Sequence, residues 1–455
     1  MTAETTPMAE EQSLNVQQEA AAVEEEKSKV VVVAAAVDKD DDVPADETET
    51  ETKREEEKEA SIVEKNGSFR EESNCFSDLK ETEKKALAEL REKIENAILG
   101  KEEEEERDVA LWGVPLLPSE GSESTDVILL KFLRAREFKV KDAYEMFEKT
   151  LQWRKEAKID SVIGEEELGA GLSAACYMDG VDREGHPVCY NVYGVFADEA
   201  LYQKAFGTEE KRGEFLRWRV QLMEKGIQKL DFKPGGVSSL LQITDLKNSP
   251  GISKKELRTA MKNAVQLLQD NYPEFVARNI VVNVPFWYYA VHSILSPFLT
   301  QRTKSKFVFA RPSKVTETLL KYVPAEQIPV SYGGFKCQKD AEFSIEDTVS
   351  ELIMKAGSTE SIEIPTPEAG TRVVWDVTVL GWEVNYKEEF VPEDEGSYTI
   401  IVQKSKKMGP QEELVRNCFR TNEPGKVVIT IENSSFKKKK VLYRFKTSNN
   451  TLSSS

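Results

Sequence analysis

Between Arg278 and Arg302 the chain carries no charged side chain, the longest such gap in a sequence whose residues are 31% charged. A membrane-spanning helix needs roughly 20 apolar residues, so the length would suffice. The content argues against a span. Asn279, Asn283, Pro285, His292, Pro297 and Gln301 interrupt the run, and polar groups without partners are costly in lipid. The stretch divides better into three parts. Asn279–Val284 is a short β-branched run suited to a buried strand. Pro285 stops it, and Phe286–Leu295 (FWYYAVHSIL) forms a helix rich in aromatic and aliphatic side chains before Pro297 ends that too. Lys304 and Lys306 then lead into a second strand, Phe307–Ala310. A strand thus delivers a hydrophobic helix to a surface, and a basic segment follows it.

The charge balance is uneven along the chain. The formal net charge is −19, and residues 1–110 alone hold 34 acidic and 15 basic side chains. That leaves 47 of the 81 acidic and 47 of the 62 basic residues in the remainder, which is neutral. Residues 1–80 contain two aromatics, Phe69 and Phe76, among Glu, Asp, Ala, Lys and Thr. Such a composition buries too little apolar surface to offset the entropy of ordering and predicts a disordered acidic tail. The five cysteines are scattered without a CxxC pair, and only His186 and His292 are available as imidazole ligands. A zinc site and a disulfide framework are therefore not expected. The start, MTAETTPMAEEQ, lacks a basic-then-apolar secretory pattern, so a reducing cytoplasmic setting is expected.

Ordered structure is expected from about residue 81. Leu87, Leu90, Ile94 and Ile98 recur at helical spacing. A helix capped by Asp126 carries Ile128, Leu129, Phe132 and Leu133 inward, with Lys131, Arg134 and Arg136 among its exposed positions. Ala143, Phe147, Thr150 and Leu151 mark another helix, and residues 81–165 read as a small helical subdomain. From 166 to 336, strand-like segments (His186–Tyr193, Val237–Thr244, Asn279–Val284, Phe307–Ala310) alternate with helical ones (Gly213–Leu230, and Ser253–Asp270 opened by Ser253 and Glu256). That alternation predicts an α/β unit with a largely parallel sheet. Residues 337–370, with the Pro-bearing IEIPTPEAG, read as a linker. Alternating apolar residues in 371–447 predict an all-β sandwich, and 448–455 a flexible tail.

Few constellations for catalysis occur. Gly169–Ala175 fits a loose dinucleotide-binding pattern, but polar, acidic sequence precedes it where an apolar strand is required. His186 and Cys189 lie three apart on a strand, hence on opposite faces. No catalytic residue, metal ligand or cofactor is assigned. Basic clusters are more informative: Arg134–Lys141, Arg302–Lys306 and Lys437–Lys440. The neutral folded part lacks a nucleic-acid footprint. The middle cluster borders the uncharged helix, and cationic groups beside apolar surface suit a phospholipid. Two acyl chains represent on the order of 20 kcal/mol of burial at about 0.8 kcal/mol per CH₂. Only an enclosed cavity with a movable wall extracts such a molecule from a bilayer.

At these residues the sequence resembles a known family. LLKFLRAREFKVKDAYEMFEKTLQWRKE looks like the N-terminal element of CRAL-TRIO lipid-transfer proteins. LLQITDL, QDNYPEFVARNIVVNVPF, FLTQRTKSKFVF and LLKYVPAEQIPVSYGG look like their lipid-binding core, and EPGKVVITIENSSFKKKKVLYRF like part of a GOLD domain. An acidic tail ahead of this pair is the arrangement of patellins, plant phosphoinositide-binding proteins. The resemblance implies a fold of α/β CRAL-TRIO core and GOLD sandwich, and a bound phospholipid, a phosphoinositide, in the pocket. It implies headgroup contacts from Arg136, Glu274, Thr303 and Lys306. The gating helix would be Phe286–Phe298, with Phe286, Trp287, Tyr288, Tyr289, Val291, Ile294, Leu295 and Phe298 as its wall. Glu137, Phe275, Leu240 and Gln242 depart from common family choices, and the last two disfavour phosphatidylcholine. Lys437, Lys438, Lys439 and Lys440 would face an anionic leaflet. The implied role is non-enzymatic lipid transfer or presentation, peripheral on cytosolic membrane faces (plasma membrane or cell plate) in trafficking and cytokinesis. The alternative is a trafficking adaptor that holds a structural lipid and recruits proteins through its GOLD domain.

Overall fold

A computed structural model describes residues 70–100, 109–117, 123–165, 168–169, 171–250, 254–285, 305–410 and 412–449. The chain divides into two compact units, residues 1–179 with 184–311, and residues 180–183 with 312–455. The helix-wall residues from Phe286 to Phe298, together with Thr303, lie outside the described residues.

The first unit begins with a strap, Arg70–Leu79, that the tail prediction did not foresee as ordered. Helix α1 (Glu81–Leu99) follows, and its Leu87, Leu90, Ile94 and Ile98 are buried as the spacing predicts. Glu81 and Glu83 sit in its first turn, where negative charge complements the helix dipole. Helix α2 (Glu123–Ala135) is apolar almost all round, and Val127–Leu133 are all buried, Lys131 included. Asp126 does not cap it. The residue lies inside the first turn and pairs with Arg91 of α1. Helix α3 (Val140–Glu156) closes the bundle. Its buried Arg154 meets the buried Glu224 of α5 (Glu209–Ile227) at 2.6 Å, and Tyr272 donates to the same carboxylate at 2.6 Å.

The sheet of this unit has five strands in the order β1 (Cys176–Val181), β2 (Pro187–Val192), β3 (Leu240–Asp245), β4 (Val276–Val282) and β5 (Phe307–Phe309). Strands β2 to β5 pair in parallel. Between them run α4 (Glu199–Phe206), α5 and α6 (Lys255–Asn271). The N-cap of α6 falls on Lys254 instead of Ser253, which is outside the described residues. Gly169 belongs to no nucleotide loop: it sits at φ +68° under Trp218, whose indole a Cβ there would overlap. Cys176 and Cys189, on the neighbouring strands β1 and β2, come together with their sulfurs 3.7 Å apart as free thiols.

The second unit is dominated by an antiparallel sandwich of two four-stranded sheets. Its strands are β6 (Ser350–Met354), β7 (Thr359–Thr366), β8 (Thr371–Val379), β9 (Val384–Pro392), β10 (Ile400–Met408), β11 (Val415–Arg420), β12 (Gly425–Glu432) and β13 (Lys439–Asn449). The sheets are ordered β11-β8-β13-β6 and β10-β9-β12-β7. Val373, Trp375, Val377, Val427, Ile429 and Ile431 fill the space between them. Two strands arise from the stretch expected to be a linker. Strand β7 carries Ile362 and Ile364 inward, and Pro365 is tolerated because β7 is an edge strand.

Candidate functional site

Because β2 to β5 run in parallel, the residues just ahead of each strand gather along one edge of the sheet. They are His186, Ser239, Glu274 and Lys306. The chain leaves β4 at the opposite edge and re-enters here through Ser305. Of the four residues expected to meet a headgroup, two are brought together. Lys306 Nζ lies 2.6 Å from Glu274 Oε2, each side chain 16% exposed, and donates a further bond to the Val276 carbonyl at 3.0 Å.

Glu274 occupies the left-handed region at φ +54°, unusual for a residue with a Cβ. Strain of this kind costs of order 1–3 kcal/mol and persists only where its surroundings enforce it. Here Lys131 enforces it. Its ammonium donates to the carbonyls of Glu274 at 2.9 Å and Ser238 at 2.7 Å, and lies 4.3 Å from the centre of the Phe275 ring. Burial pushes this lysine down to about 7, against the opposing pull of the Glu71 and Glu274 carboxylates. The expectation that Lys131 is exposed was therefore wrong, since α2 has no polar face at that position.

The strap supplies the remaining charge. Glu71 accepts from Ser239 Oγ at 2.7 Å and meets His186 Nε2 at 2.9 Å. Burial would raise its carboxyl, but the bonds from His186 and Ser239 and the charge on Lys131 outweigh that and hold it below the usual range. Glu72 pairs with Arg134 at 3.1 Å, and Gly235 N–H donates to Asn74 Oδ1 at 2.6 Å. Sequence reasoning missed Glu71, Lys131, His186 and Ser239 as one constellation. A lysine inside the apolar run VILLKFL was the legible signal.

Arg136 is half-buried just beyond α2, where Glu137 and Phe138 take left-handed conformations, and its guanidinium donates to the Ala135 carbonyl at 3.1 Å. Among the described residues no contact joins it to Glu274 or Lys306. The run Lys437–Lys440 also divides. Lys439 is 8% exposed, its ammonium directed at the Gly381 carbonyl and Glu383, and Lys440 pairs with Glu351 at 2.8 Å. Alternation along β13 turns Lys439 inward, so this surface consists of Lys437 and Lys438 instead of four lysines.

Comparison with known proteins accords with this architecture. Family models match residues 86–149 (CRAL/TRIO, N-terminal domain), 173–334 (CRAL/TRIO domain) and 355–439 (Patellin-1-like, C-terminal GOLD domain). Patellin-3 of Arabidopsis thaliana is 50% identical over 393 residues, covering 85% of this chain and 79% of Patellin-3. The chain belongs to the patellin family. Patellin-4 of the same plant is 64% identical over 346 residues, 76% of this chain, and the match spans 63% of Patellin-4's own length. A more distant relative is the phosphatidylinositol transfer protein SFH5 of Kluyveromyces lactis, 29% identical over 300 residues, 63% of this chain and 94% of that protein. Within this patellin, the departures noted in sequence have structural places. Phe275 is a core residue packed on Trp112 and Phe232. Leu240 is buried against Gly226 of α5.

Proposed function

We propose that this patellin binds a phosphatidylinositol or phosphoinositide and transfers it or presents it at cytosolic membrane faces. The observation that carries the reading is the half-buried Lys306–Glu274 pair at the sheet edge where the uncharged stretch rejoins the fold. Lys306 would donate to a lipid phosphate, and Glu274 would accept from inositol hydroxyls. Arg136 and Thr303 would complete the headgroup contacts, with Phe286–Phe298 as the movable wall over the acyl chains. The name of the Kluyveromyces relative, a phosphatidylinositol transfer protein, supports the lipid class. Among the described residues no helix is long and apolar enough to cross a membrane, which accords with peripheral attachment. A part in membrane trafficking and cell-plate formation is the family-level extension of this reading.

Vesicle-to-vesicle exchange of labelled phosphatidylinositol tests it, together with mass spectrometry of copurifying lipid. Lys306→Ala should reduce pickup about tenfold, the loss of one charge-assisted hydrogen bond. Unchanged pickup would remove the assigned site. A lipid that copurifies yet never exchanges would favour the adaptor role.

A further inference from the structure

Four connections lie at one end of the sandwich. Loop 355–358 joins β6 to β7, loop 380–383 joins β8 to β9, residues 409–414 join β10 to β11, and loop 433–438 joins β12 to β13. Buried Asn433 ties the first and fourth together: its N–H donates to the Ser358 carbonyl at 2.9 Å, and its side-chain amide to the carbonyls of Lys355 at 2.8 Å and Lys437 at 2.9 Å. Its Oδ1 accepts from the Ser435 hydroxyl at 2.7 Å and the Ser435 N–H at 3.1 Å. Gly357 N–H donates back to the Ser435 carbonyl at 3.3 Å. This laced turn holds one side chain out: Phe436 is 100% exposed.

A large apolar side chain fixed in water by an ordered turn is not explained by folding, which gains by burying it. Its neighbours show what would cover it. Lys437 and Lys438 follow it directly, Lys355 stands on the adjoining loop, and all three are exposed. Loops 355–358 and 433–438 contain no carboxylate. Three of the flanking acids are engaged: Glu351 with Lys440, Glu383 with Lys439, and Glu432 with Asn385. The opposite end of the sandwich carries the exposed acids Glu393, Asp394 and Glu395 in the β9–β10 turn. Acids stand at the tip end too: the β10–β11 connection, on the far edge of the sandwich, carries the exposed Glu412 and Glu413, so the cationic character is local to the two laced loops.

We infer that this tip inserts Phe436 into the headgroup layer of an anionic bilayer while Lys437, Lys438 and Lys355 lie at the phosphate level. An aromatic ring flanked by lysines suits that interface, where the ring is buried and the ammonium groups stay wet. A projecting point of this size offers little area for a protein contact, which needs about 800 Å² per partner. The inference goes beyond the pocket and does not depend on it.

Sedimentation of the full chain with phosphatidylcholine vesicles, with and without about one third phosphatidylserine, tests the tip. Phe436→Ala should weaken partitioning to the anionic vesicles about tenfold, and Phe436→Trp should retain it. Lys437→Ala with Lys438→Ala should weaken it by more than tenfold, at about fivefold per lysine, on anionic vesicles only. Copurified lipid should be unchanged in all these variants, whereas Lys306→Ala affects it without altering the tip. Failure of the pocket reading and failure of this one are thus separable. Phe436→Ala partitioning like the wild type would overturn the inference, whether or not that variant loses capture of a protein partner.

Discussion

Lys131 and Glu274 show how a single buried cation shapes the site. The ammonium stabilises a left-handed turn by bonding its carbonyl, and that turn aims the Glu274 carboxylate at Lys306. The arrangement has a pH signature. Lys131 titrates near 7 in the fold and near 10.5 when unfolded. Between these values the unfolded chain binds more protons, so this residue makes stability fall as pH drops from about 10 towards 7. Denaturant melts at pH 7 and pH 9 should differ by about 2 kcal/mol more in the wild type than in Lys131→Met. Equal differences would show that Lys131 stays charged throughout. The methionine variant is also expected to be less stable at both values, because two carbonyls lose their donor.

At the scale of elements, the stretch after Gly334 is the main departure from the sequence reading. Charge and proline suggested a loose connection, yet residues 335–347 are fastened to the β11-β8-β13 side of the sandwich. Arg444 of β13 donates to Asp376 at 2.8 Å and to the Phe335 carbonyl at 2.9 Å, and its guanidinium lies 4.2 Å from the Phe343 ring centre. Arg416 grips Asp376 and Asp340 from the neighbouring strand, each at 2.6 Å. Burial would raise the Asp340 carboxyl, but Arg416 and the N–H groups of Glu342 and Phe343 hold it down to about 2. Its share of the stability is present at neutral pH and is lost only as pH falls from about 4 towards 2. Arg444→Met, which leaves the fully buried Asp376 with one partner, should destabilise the sandwich by about 3 kcal/mol in urea. A loss under about 1 kcal/mol would mean that Arg416 suffices. The edge strands β7 and β10 present Glu363, and Lys404, Lys406 and Lys407, which discourage pairing with other chains.

For the whole molecule, the uneven charge sets the expected membrane behaviour. Residues 1–69 hold 20 acidic and 7 basic side chains, enough to oppose attraction of the basic tip to an anionic surface. A chain beginning at Arg70 should bind anionic vesicles several-fold more tightly at low salt, with the difference vanishing near 0.5 M where charges are screened within a few ångströms. Equal binding at low salt would dismiss this role for the tail. A cut at residue 110, where the acidic excess ends, would remove Leu87, Leu90, Ile94 and Ile98 of α1, which belong to the core. The strap at Glu71–Asn74 must stay for the same reason.

What the sequence determined by itself was periodic or local. Spacing of apolar residues marked α1 and α3, alternation marked β8 and β12, and the strand–helix succession implied the parallel sheet, because those patterns follow from the geometry of each element. The long motifs were sufficient for the family. What only the tertiary structure decided depends on partners distant in the chain. Glu71 meets His186 and Ser239, Lys131 meets Ser238 and Glu274, and Arg444 meets Phe335 and Asp376. Composition counts such charges as solvated, and only folding reveals which are buried and paired. The uncharged stretch after Arg278 illustrates both sides. Its prolines and asparagines argued against a span from sequence alone, but parallel pairing of β4 and β5 was needed to bring Lys306 beside Glu274 at the point where that stretch returns.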